Sequence, residues 1–407
     1  MTVESPAVEP SASGEGRQGI LRAGLERLKT GDLGSWPLVV GIVLIALFFY
    51  SKNSIYLSAT NFTNLTVQMA GLTAVAIGVV FVLLLGEIDL SIGSVSGVAG
   101  VVVAELQLAG SSHDYPGIVA ILAALVVCAV IGAIQGSFVA YIGVPSFVVT
   151  LAGLLFFQGV ILKALPQSVI IIDDSTITNV ANYYFSETAS WIIASVLAAT
   201  YVAFTIGGVV SRRRHGITSD NIALTAAKLV AVVGGTFFVV GVFNRDRGVP
   251  FVALLIVLLT IFWTYIAKRT TFGRHVYAVG GNAEAARRAG INVARIRIFV
   301  FMISGVMAAV GGIIFASRLL SVNTAAGSGT LLLDAISAAV IGGTSLFGGR
   351  GEVKSAILGA LIISMIANGI ALVGYAAYIQ LMVTALILLA AVTLDTIVRR
   401  RQVAAGR

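Results

Sequence analysis

Long apolar runs alternate with short polar or basic breaks along nearly the whole chain. A helix needs about 20 apolar residues to cross the hydrocarbon core of a bilayer. Applied along the chain, that rule predicts spans near 37–53, 64–86, 90–109, 117–142, 145–164, 188–210, 223–243, 249–267, 296–318, 331–346, 353–373 and 377–397. The pattern therefore predicts an all-α polytopic membrane protein of about twelve transmembrane helices. A cytoplasmic tail covers 1–36, the membrane domain 37–398, and a second cytoplasmic tail 399–407. Residues 1–36 are rich in Pro, Ser, Gly, Glu and Arg, with no early apolar run and no small-residue cleavage site, so they do not read as a signal peptide.

Two connections are long enough to carry function and are expected to dock partners. The outer one, 165–187, holds Asp173, Asp174 and the pair Tyr183-Tyr184; the inner one, 268–295, is basic and glycine-rich. Helices two to five and nine to twelve start on opposite sides, as an inverted repeat requires. A faint echo accompanies them: Gln135-Gly136 against Asn368-Gly369, and Tyr141 with Val149-Thr150 against Tyr375 with Val383-Thr384.

Composition agrees with a lipid solvent. Hydrophobic residues make up 58% of the 407 and charged residues 11%, with a mean hydropathy of +1.00, against about 25% charged in soluble domains. The net charge of +8 does not form a basic face interleaved with aromatics, which excludes a nucleic-acid partner. With the N-terminus inside, 20 of the 26 Lys and Arg fall on cytoplasmic segments, the bias that sets membrane orientation. Both termini are then cytoplasmic. The single cysteine, Cys128, lies in an apolar run and reads as a small apolar filler.

No lysine follows a glycine, so the phosphate cradle of an ATPase cannot be built, and the chain is expected to bind no cofactor directly. His113, His215 and His275 do not cluster at metal-ligand spacing and are expected in loops or at helix ends. The richest stretch is Gly281-Asn282-Ala283-Glu284-Ala285-Ala286-Arg287-Arg288-Ala289-Gly290. It predicts one short helix: Asn282 as N-cap, Glu284 at the positive end, Arg287 and Arg288 at the negative end, and Gly290 in the left-handed closing position. A helix of two turns is marginal alone, so either the chain's own bundle or a groove on a separate protein must hold it.

Glu284-Ala285-Ala286 followed by Gly290 resembles the Glu-Ala-Ala-x3-Gly coupling motif of ABC importer permeases. The later Ile-x-Leu-Pro part is missing, and Val300 stands where its Ile would fall. Ile341 to Gly351, Gly86 to Ser94, and Phe272-Gly273-Arg274-His275 with Ala278 to Asn282 are similar to hallmarks of the ribose, xylose and galactose permease family, in the same order over roughly 40–400. That resemblance implies a permease subunit of a bacterial inner-membrane importer. Its implied partners are cytoplasmic ATPase subunits that use ATP, an extracytoplasmic sugar-binding protein, and a second copy of the chain with the sugar pathway between the two. Ordinary members have ten helices, so a pair near 211–248 reads as inserted. The layout is similar to xylose-type permeases, which points to a pentose. The coupling residues are then Gly281, Asn282, Glu284, Ala285, Ala286, Arg287, Arg288 and Gly290.

Candidate pathway groups are amides in apolar runs, Gln135, Gln158, Asn368 and Gln380, each equally suited to bonding a neighbouring helix. Asp89 joins them as a carboxylate next to hydrocarbon, costly unless functional, although it could cap the third helix with Ser91. Twelve helices also suit a proton-coupled secondary sugar transporter, but ionisable relays deep in the apolar runs are scarce.

Overall fold

The computed structural model describes residues 36–108, 114–165, 169–216 and 222–404. The expected tail at 1–36 lies outside them except for Trp36, as does His113. Each predicted span falls on a helix: α1 (Trp36–Lys52), α2 (Ala59–Leu84), α3 (Ile92–Leu106), α4 (Gly117–Ser137), α5 (Ser146–Ala164), α7 (Glu187–Arg214), α8 (Ile222–Asn244), α9 (Phe251–Arg269), α12 (Val293–Leu319), α13 (Leu331–Ile341), α14 (Ser355–Val373) and α15 (Ala377–Ala404). Among the described residues, 8 helices are long and apolar enough to span a bilayer outright; α1, α3, α13 and the first part of α15 are shorter apolar helices.

Local chemistry explains where element ends depart from the predicted ones. α2 starts at Ala59 because the Ser58 hydroxyl accepts the Asn61 amide at 3.2 Å. α13 stops at Ile341, short of the expected 346, because Gly343 turns the chain with φ of 95°. α15 runs on to Ala404, so the segment expected as a tail from 399 is helical as far as that residue. The connection 165–187 is not an open loop. It holds β1 (Val169–Ile171), paired antiparallel with β2 (Ser321–Asn323), and α6 (Ser175–Asn182). The Ser317 hydroxyl straps α6 to α12 by accepting the Ala181 amide and donating to the Thr178 carbonyl, both at 2.9 Å.

α2 is almost wholly buried and runs antiparallel to α12, with Gly71 against Phe315 and Gly78 against Met307. α12 packs on α4 and α3, and α2 packs on α14 and α13; α3 meets α4 and α5 as α13 meets α14 and α15. The contact pattern therefore maps onto itself when α2–α5 and α12–α15 are exchanged, as the inverted repeat expects. Small residues permit the tightest crossing. A Cβ on Gly132 would overlap the Phe301 carbonyl, and one on Gly305 the Cys128 carbonyl, so α4 and α12 touch backbone to backbone. α7 and α8 form a largely exposed hairpin fastened to the first turns of α2 by Phe62 against Phe243, with ring centroids 5.2 Å apart.

Gly305→Leu should lower the thermal midpoint of the purified protein, because overpacking a closed contact costs about 1–3 kcal/mol. Gly208→Leu on α7, where nothing lies within 4 Å, should leave that midpoint unchanged in the same melt.

Candidate functional site: a glycine joint and a polar cavity

The connection 268–295 folds into two helices, α10 (Thr271–Gly281) and α11 (Ala283–Arg288). α10 is amphipathic, with Gly273, Val276 and Val279 buried. That i, i+3, i+6 spacing is its legible sequence signal. His275, expected in a loop or at a helix end, sits in the middle of α10. α11 has the predicted ends. The Asn282 carbonyl oxygen of the side chain accepts the Ala285 amide at 2.9 Å, and Gly290 has φ of 84°. Glu284 pairs with Arg287 at 3.4 Å and Arg288 at 3.2 Å. Ala286 alone is buried against the chain's own bundle, while Glu284, Ala285, Arg287 and Arg288 stay exposed. Of the two expected supports, the chain's own bundle holds one face, and the other face is exposed.

The three glycine-bearing motifs meet at one joint. The Gly349 amide donates to the Leu84 carbonyl at 2.9 Å, where α2 ends. Gly280 at the end of α10 lies so close to that carbonyl and to the Gly349 amide that any Cβ would overlap them. Gly348 in turn faces Gly280 and Gly86. The Tyr277 hydroxyl donates to the Gly351 carbonyl at 2.8 Å. Around this joint, Glu352 pairs with Lys268 of α9 and with Lys354 at 2.8 Å. Burial works against ionisation of Glu352, but the two lysine hydrogen bonds outweigh it and hold its carboxyl below the usual range. The residues 341–351 are therefore a packed structural turn.

Deeper at the same end, Glu87 pairs with Arg297 of α12 at 3.0 Å. Asp89 accepts the Ser91 amide at 2.9 Å and hydroxyl at 2.8 Å, and the Ser304 hydroxyl of α12 at 2.7 Å. Gln135 donates to Ser91 at 2.9 Å. Asp89 and Gln135 thus stitch the α2–α3 turn to α12 and α4. The capping position of α3 is Ser91, whose side chain makes no capping hydrogen bond; Asp89 instead fixes Ser91 and crosses to α12.

A cavity of about 790 Å³ lies at the opposite end, reached by the last turns of α12. Its walls come from α2, α3, α12, the segment 321–331, α13 and α14. Of the five sequence-derived pathway groups, only Asn368 lines it. Asn368 and Asn61 exchange reciprocal amide bonds at 3.0 Å, with Gln68 beyond at 3.5 Å, so this amide both ties helices together and faces the cavity. Asp89 and Gln135 belong to the buried stitch, and Gln158 and Gln380 lie outside the cavity wall. The chain by itself supplies all the residues that line it. Sequence reasoning missed Arg318 and Asp334, which also line the cavity. The available signal was the lone acid in the apolar run from Leu331.

Comparison with known proteins identifies the family. The model of the family described as "Branched-chain amino acid transport system / permease component" matches residues 61–392. The xylose transport system permease protein XylH of Escherichia coli (strain K12) is 37% identical over 383 residues, covering 93% of this chain and 95% of that protein. XylH of Haemophilus influenzae is 36% identical over 376 residues, covering 91% and 98%. The ribose import permease protein RbsC of Haemophilus influenzae is 31% identical over 356 residues, covering 88% and 91%. No solved structure matches the chain.

Because the folded-state value of Glu352 is depressed, its contribution is present above the ordinary glutamate range and lost only as pH falls through the lower folded value. Amide protection of 271–281, corrected for intrinsic exchange, should stay constant from about pH 7 to about pH 5 in the native protein. Glu352→Gln should lower it throughout that window.

Proposed function

Since the chain belongs to the family of branched-chain amino acid transport system permease components, we propose that it carries a monosaccharide, a pentose such as xylose, through the cytoplasmic membrane. It is the multi-pass permease subunit of an ABC importer of the inner membrane, a transport subunit whose ATP is hydrolysed by a separate ATPase. Such systems use ATPase and binding-protein partners. The full-length likeness to xylose permeases supports the pentose, and so does a cavity whose polar wall groups are mostly neutral amides and hydroxyls set among apolar residues.

One observation carries the mechanism: the capped, half-exposed α11 is continuous with a joint that touches the ends of both α2 and α13. In this reading the exposed face of α11, with Gly281, Asn282, Glu284, Ala285, Arg287, Arg288 and Gly290, seats on the cytoplasmic ATPase. Closure of the ATPase pair pushes α10, and Gly280 passes the movement to Leu84 and Gly349. The helices that leave this joint, α2, α13 and α14, form walls of the cavity at the far end. A rigid lever suits the task, because coupling requires contacts that differ between two states. Both termini are cytoplasmic, the cavity belongs to the outer half, and the binding protein delivers sugar there. Two copies of the chain, one per ATPase subunit, and the surrounding bilayer complete the assembly. Among the described residues, the range 211–248, expected to hold an inserted pair, contains one whole helix, α8, and the last turn of α7.

Proteoliposomes holding the permease, its ATPase and its binding protein should take up D-xylose when ATP is supplied inside the ATPase compartment, with no loss on adding a protonophore. Accumulation without the ATPase, or of L-leucine in place of D-xylose, would defeat the proposal. Gly290→Pro, which cannot adopt the positive φ, and Glu284→Lys should leave insertion intact yet cut uptake by at least about tenfold while ATP is still hydrolysed.

A further inference from the structure

One residue of the cavity wall carries an acceptor that the fold leaves unanswered. Asp334 lies in the first turn of α13 and is 9% exposed. Its Oδ2 accepts the Thr330 hydroxyl at 2.7 Å, whereas its Oδ1 is buried without a hydrogen-bond partner. A carboxylate oxygen in that condition is costly, because it has given up water and gained nothing in return. Such an atom persists where something that visits the site supplies a donor.

The rest of the wall says what that visitor is. Arg318 is the other charged residue lining the cavity, so the formal charges of the wall cancel. An anion would face Asp334 and a cation would face Arg318. A neutral molecule bearing several hydroxyls satisfies both, and also the amides of Asn61, Gln68 and Asn368. The cavity volume of about 790 Å³ lies within the range of small-molecule sites.

We infer that Asp334 Oδ1 accepts a hydroxyl of the transported polyol, which makes the cavity a selecting subsite and not a passive vestibule. This rests on the permease reading above and goes one step beyond it. The conduit itself discriminates among sugars after the binding protein has released them.

The test is equilibrium dialysis of radiolabelled D-xylose against the purified permease–ATPase complex with no binding protein present. The native complex should bind D-xylose saturably, and Asp334→Asn should weaken binding about tenfold. Among the monodeoxy-xyloses, the one lacking the contacted hydroxyl should bind the native complex about tenfold more weakly than D-xylose, and the penalty should vanish in Asp334→Asn. A merely structural Asp334 would not produce that coupling. If Asp334→Asn does not assemble, Asp334→Glu keeps the charge but moves the oxygen, and the same comparison applies. Absence of saturable binding, equal affinity in the variants, a deoxy penalty that survives substitution, or displacement of D-xylose by L-leucine would each overturn the inference. An importer that still moves D-xylose with ATP under those results would lose the subsite and keep the permease. Failure of ATP-driven uptake in the native assembly would instead remove the permease reading.

Discussion

Hydrocarbon offers no water to a broken helix, so each interruption of a spanning segment must be answered by protein. In this chain the interruptions are where the chemistry gathers. The break after α2 is met by the Gly349 amide on the Leu84 carbonyl and by Asp89 on the Ser91 amide. The break after α12 is met by the β1–β2 pairing and by α6 strapped to Ser317. The first set closes one end of the bundle, and the second borders the cavity at the other. Close approach is what makes the answers available: without the bare backbones of Gly280 and Gly348, the joint could not bring three chain segments within hydrogen-bond reach.

The joint and the cavity are thereby separated by the length of the bundle but share the same helices. α2 carries Leu84 at the joint and Asn61, Asn64 and Gln68 at the cavity. α12 carries Arg297 and Ser304 at one end and Phe315 and Arg318 at the other. Small residues along these helices let their backbones approach closely. In the self-mapping pattern of contacts, α3 with α4 corresponds to α13 with α14.

The spans were legible because hydrophobic length is a one-dimensional property, and all twelve segments became helices. The capped helix at 282–290 was legible because Asn282, Glu284, Arg288 and Gly290 act within a single turn or two of their own backbone. α10 stayed hidden in a glycine-rich connection, since its amphipathic stripe spans only Gly273 to Val279 and two of its three members are small in reach. The pathway groups were the least legible. An amide in an apolar run gives no hint of which neighbour it faces, so Gln135 and Asn368 look alike in sequence, yet one locks a turn and the other borders a cavity. Asp334 carried a one-letter signal that went unread beside the more conspicuous Glu87 and Asp89.

The α7–α8 hairpin has a reach that its exposed position conceals. Arg247, just past α8, stands 4.5 Å over the Tyr184 ring and donates to the Asn64 side chain at 2.6 Å, while Asp246 accepts from Thr60. Asn64 is itself part of the cavity wall. A substitution at Arg247 would therefore be felt in the cavity wall through Asn64, although Arg247 itself is no part of that wall.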